Sequence, residues 1–139
     1  MLPRYFLFVE TENNTTTEKP PIVYSCSGCS DAGELADRIA RELSRSGVAE
    51  MSCITGVGGR VKSLLNKALK AERIVAIDGC PLNCVANTLR GAGVMKFDHL
   101  ELQDLGFRKG SVPVNEESIQ RGVEAATEII GTKEPATAR

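Results

Sequence analysis

The hydrophobic and polar positions of this chain repeat in alternating short runs and helical stripes. Ile22 to Cys26 is a short apolar strand, followed by a stripe of Leu35, Ile39, Ala40 and Leu43 at helical spacing that Gly47 ends. Asp31 with Glu34 has the spacing of a capping box and marks the start of that helix. Val48 to Ile54 reads as a second strand. A Gly-rich turn at Gly56-Val57-Gly58-Gly59 leads into a helix with Val61, Leu64, Leu65, Ala68 and Leu69 on one face. Arg73 to Asp78, with Ile74-Val75-Ala76-Ile77 at its centre, is apolar at four successive positions, the mark of a strand covered on both faces. A short helix through Val85 and Leu89 closes near Gly91 or Gly93, and Asp98 to Leu105 alternates as a fourth strand. Asn115 caps a last helix with Ile119, Val123, Ala126 and Ile130 on one side.

Four strand–helix units in series predict an α/β fold. The expected form is a single-domain three-layer sandwich, its sheet mostly parallel, Rossmann- or flavodoxin-like and of about four strands. The domain spans residues 22–131. Residues 1–21 form an N-terminal extension in which Arg4 to Glu10 is a candidate edge strand. A polar linker from Thr11 to Pro21 follows, and residues 132–139 read as a disordered tail.

Composition narrows the function. A net charge of −1 over 139 residues lacks the basic field of a general nucleic-acid surface. No apolar run approaches the roughly 20 residues of a membrane-spanning helix. Tyr5 to Val9 is too short for the core of a signal peptide, so the expected location is cytoplasmic, where thiols stay reduced.

The chemistry lies in five cysteines: Cys26 and Cys29 in a CxxC, Cys53 alone, and Cys80 and Cys84 in a CxxxC. Each group follows an apolar run. In open parallel sheets ligands sit beyond the carboxyl ends of the strands, where these thiols are expected. Clustered reduced thiols serve a soft metal ion, an iron–sulfur cluster or thiol–disulfide exchange. Pattern alone favours the two pairs Cys26/Cys29 and Cys80/Cys84, with Cys53 a buried small hydrophobe. Arg60 and Lys62 are candidate counter-charges, against the simpler reading of a solvated helix start. Other motifs fail in detail. Cys53 to Arg60 has one residue too many for a tyrosine-phosphatase loop, and Val61 stands where a P-loop needs glycine. Asp31 and Glu34 suit a helix start better than a catalytic carboxylate pair, and His99 is expected to be half-exposed and structural.

Cys26-Ser27-Gly28, Met51-Ser52-Cys53, Asp78-Gly79-Cys80 and Cys84, with the Gly-rich turn and Leu105-Gly106-Phe107-Arg108-Lys109, resemble one family in order. It is the DGC-domain family of small bacterial and archaeal proteins, named for its Asp-Gly-Cys motif and ascribed zinc binding. The resemblance covers Ile22 to Ile130. It implies a four-cysteine zinc site of Cys26, Cys53, Cys80 and Cys84, with Cys29 as the alternate ligand. The leading expectation is a binding or regulatory protein, not an enzyme, that acts in metal handling, sensing or partner docking. The alternative is a thiol–disulfide or iron–sulfur redox enzyme using Cys26/Cys29 or Cys80/Cys84.

Overall fold

The computed structural model describes residues 19–132. The candidate strand at Arg4 to Glu10, most of the linker and nearly all of the tail lie outside the described residues. Four strands, β1 (Ile22–Ser25), β2 (Glu50–Met51), β3 (Ile74–Asp78) and β4 (Asp98–Glu101), form one sheet in the order β2-β1-β3-β4. All three pairings are parallel. Helices α1 (Asp31–Arg45), α2 (Ile54–Gly58), α3 (Lys62–Lys70), α4 (Cys84–Gly91) and α5 (Glu116–Ile130) connect and cover the strands. The α/β single-domain reading is therefore correct.

Two cores sandwich the sheet. On one face, Leu35, Ile39 and Leu43 of α1 pack with Val23, Val75 and Ile77 of the strands and Ile119 and Ala126 of α5. On the other, Tyr24, Ile74 and Ala76 pack with Val57, Ala68, Val85 and Leu89. Every residue of β3 is buried, as its apolar run requires. Burying each of the large aliphatic side chains contributes about 1.5–3 kcal/mol before the entropy of ordering it is charged.

Several boundaries differ from the sequence expectation, each for a local reason. Ser30, not Asp31, caps α1, because its Oγ accepts the Gly33 N–H at 3.0 Å. Asp31 instead accepts the backbone N–H groups of Gly110 and Val112, both at 2.9 Å, and so ties the loop before α5 to the start of α1. Glu34 pairs with Arg38 on the surface. The second strand keeps only Glu50 and Met51, because the backbone turns at Cys53 into α2, which absorbs most of the Gly-rich turn. The fourth strand stops at Glu101, and Leu102–Leu105 tightens into a 3-10 turn. On α3 only Ala68 is fully buried, and Leu69 is half exposed.

The chain leaves β1 for β2 on one side and then crosses to β3 on the other. This puts the switch in strand order between β1 and β3. Cys26 and Cys80 stand just beyond it.

Candidate functional site

Register places the thiols at one edge. Val23 pairs with Met51 and Ser25 with Ile77, so Cys26, Cys53 and Cys80 leave three adjacent parallel strands at their carboxyl ends. Cys84 opens α4 beside them. All five cysteines are free thiols.

The centre of the site is the Asp78-Gly79-Cys80 turn, and each residue has its own task. Asp78 is 1% exposed, and a buried carboxylate must be fully partnered. Its two oxygens accept the N–H groups of Val85 at 2.8 Å and Ala86 at 3.1 Å, and His99 Nε2 lies 2.8 Å from Oδ2. One side chain at the end of β3 thus fastens the first turn of α4, and with it Cys84, to β4. A carboxylate at that end of a helix is also favoured by the helix dipole. Gly79 lets two backbones meet. A Cβ there would stand 2.5 Å from the carbonyl oxygen of Ala32 in α1. Its N–H donates to Cys26 Sγ at 3.2 Å, joining the first cysteine motif to the third.

Cys26 is half-buried, and its pKa is pushed up to about 11. Burial is the main cause, opposed by the Gly79 N–H and reinforced by negative charge on Asp78, Cys80 and Cys84. Asp78, Cys80 and Cys84 thus lie close enough to Cys26 to disfavour its thiolate. Cys26 and Cys84 also line a cleft of about 350 Å³ with Ser27, Ile54, Thr55 and Thr88.

Cys53 is exposed, which overturns the reading of it as a buried hydrophobe. Its Sγ accepts the Gly56 N–H at 3.2 Å and caps α2, the helix that walls the cleft. Cys29 is exposed too, in the open Ser27–Gly28 turn. Among the described residues no three Cys, His, Asp or Glu side chains are gathered so as to hold a metal ion. Instead Cys26 and Cys53 are each turned onto a backbone N–H. The chemistry of the donor set nevertheless suits a soft cation, because cysteine sulfur is the ligand that zinc and similar ions prefer.

Arg60 is not a counter-charge of the site. Its guanidinium donates to the carbonyls of Val57 and Gly91, tying α2 to the end of α4. His99, expected to be half-exposed, is only 10% exposed, because its Nε2 lies against Asp78. The role of Asp78 escaped the reading of the sequence. Its signal was an acidic residue directly ending a four-residue apolar strand, a place where a carboxylate survives only with several donors.

The DGC domain model matches residues 22–126. Over 89 residues the chain is 47% identical to the anaerobic and virulence modulator AnvM of Pseudomonas aeruginosa, covering 64% of this chain and 68% of that protein. No solved structure gives a significant match. With the Asp-Gly-Cys turn at the switch point of its sheet, the chain belongs to the DGC-domain family.

Proposed function

We propose that this chain is a small cytoplasmic regulatory protein that binds zinc through Cys26, Cys53, Cys80 and Cys84. The regulatory part of this reading is supported by the likeness to AnvM, a modulator. The observation that supports the metal reading is the placement of Cys26, Cys53 and Cys80 at the carboxyl ends of three adjacent strands, with Cys84 opening α4 beside them and Gly79 joining Cys26 to the Asp78 turn. Negative charge accumulating there is relieved by a divalent cation, which inverts the local preference and draws each thiol to thiolate. Bound zinc would supply a closed thiolate centre that fixes the edge of the sheet. Cys29, exposed in the turn after β1 rather than at a strand end or helix start, is the spare.

The Cys26/Cys29 form of the redox alternative is the weaker one. Burial pushes the Cys26 thiol up to about 11, which disfavours Cys26 as the attacking thiolate of a Cys26/Cys29 couple, and the Cys80/Cys84 couple remains the redox reading to test.

Elemental analysis of protein purified without oxygen tests the proposal. About one zinc per chain, with no visible absorbance, is expected for a site of this type. Iron with charge-transfer absorbance transfers the reading to the iron–sulfur alternative. Protein that neither retains nor takes up either metal contradicts both.

A further inference from the structure

Charge is sharply divided along this chain. From Met51 to Lys96 there are seven Lys and Arg residues against two Asp and Glu, in a protein whose net charge is −1. This stretch builds the α2–α3–α4 side of the sheet. Part of its charge is used internally: Arg60 holds backbone carbonyls, Lys67 pairs with Glu50, and Arg73 pairs with Asp98. Lys62, Lys70 and Lys96 make no ion pair among the described residues.

Lys96 lines an apolar cleft, and Lys62 and Lys70 are exposed on the helix that forms one of its sides. Leu69 is 50% exposed and Met95 58% exposed, and both line a cleft of about 330 Å³ between the end of α3 and the loop Gly93–Lys96. Glu72 is the one carboxylate on its wall. Beside Leu69 and Lys70, the exposed side of α3 carries Lys62 and Asn66. Lys62 and Lys70 stand about 12 Å apart along the axis. Lys62 is unfavourably placed for the helix alone. It opens α3, where the dipole disfavours a cation, and no acidic residue occupies that first turn.

We infer that this cleft is a docking site for an acidic amphipathic helix of a partner protein, with apolar anchors on Leu69 and Met95 and carboxylates on Lys62, Lys70 and Lys96. Helix-in-groove recognition uses this arrangement, apolar side chains at i, i+3 or i+4 and i+7 flanked by charge that sets orientation. The surface fits a membrane less well. Adhesion to anionic lipid takes clusters of about four to eight basic residues, and the apolar residues here line a cleft. The inference rests on the regulatory half of the proposed function and is independent of the metal.

The test is a titration of the isotope-labelled full chain with a synthetic helical peptide of about 16 residues, leucines on one face and glutamates flanking them. Amide shifts confined to Lys62–Lys70 and Gly93–Lys96 are expected. The double variant Lys70→Glu/Lys96→Glu should weaken binding about tenfold, and Leu69→Ser should weaken it as well. All three positions are exposed, so folding and zinc content should be unchanged. A Cys80→Ser chain that still binds the peptide separates this site from the metal reading. Absence of binding, shifts at the cysteine edge, an unaffected double variant, or tighter binding of a single-stranded oligonucleotide or of phosphatidylglycerol vesicles would overturn the inference.

Discussion

The turns after β1 and β3 both carry a cysteine pair, a glycine and a following helix, yet they are built differently. After β3, Gly79 is wedged against the Ala32 backbone, Asp78 holds the start of α4, and Cys80 is half-buried. After β1, Ser27, Gly28 and Cys29 are exposed, and a Cβ on Gly28 would meet nothing within 4 Å. Cys26 alone of that motif turns inward, and it does so onto Gly79. The contrast teaches that glycine beside cysteine has two meanings. Gly79 permits a contact between backbones, whereas Gly28 only turns the chain. The backbone around a cysteine is partnered at Cys80, Cys84 and Cys26, and open at Cys29.

The largest break in this contrast should come from Asp78→Ala. It strands two helix N–H groups and His99, so a loss of about 3–5 kcal/mol in urea unfolding is expected. Asp78→Asn, which keeps an acceptor, should lose clearly less. Equal losses would show that the carboxylate does not fasten α4.

Gly79→Ala comes next. The added methyl meets the Ala32 carbonyl, and overpacking of this kind costs about 1–3 kcal/mol. A stability equal to that of the parent would mean that the two turns do not differ as described.

A third effect is pH dependence of the metal-free chain. Burial raises the Cys26 pKa, so the folded state holds that proton more tightly than the unfolded chain. The resulting stability is complete below the ordinary thiol range and is lost as pH climbs through about 11. Tyr24, also raised by burial, adds to the same loss, so the readout is the difference between parent and Cys26→Ala. The variant should show the shallower alkaline decline. Zinc affinity should move the opposite way and rise with pH, because binding releases the thiol protons.

The smallest change is expected from Cys29→Ser, within about 0.5 kcal/mol of the parent, since its side chain is exposed. A larger loss on unfolding would place Cys29 in a contact that its open turn does not provide.

Much of this fold was legible because β3 and the stripe on α1 bury residues at periods that nothing else produces. The shortness of β2 was not legible. Ser52 and Cys53 lie in the stretch expected as strand, but the Gly56 N–H offers the thiol a helix cap, which competes with further strand. The edge holding the cysteines followed from parallel order alone. What could not be read was how they are turned, since Cys26 meets Gly79 across 53 positions of sequence. The anchoring of α4 by Asp78 is likewise a contact in space, with only the placement of an acid after Ile77 to hint at it.

The most direct test compares zinc bound by Cys29→Ser and Cys80→Ser, each purified without oxygen and measured against the parent. The account predicts that Cys29→Ser keeps the parent stoichiometry and that Cys80→Ser loses most of its metal, because a hydroxyl stays protonated and ligates zinc poorly. Zinc lost from Cys29→Ser and retained by Cys80→Ser would contradict it.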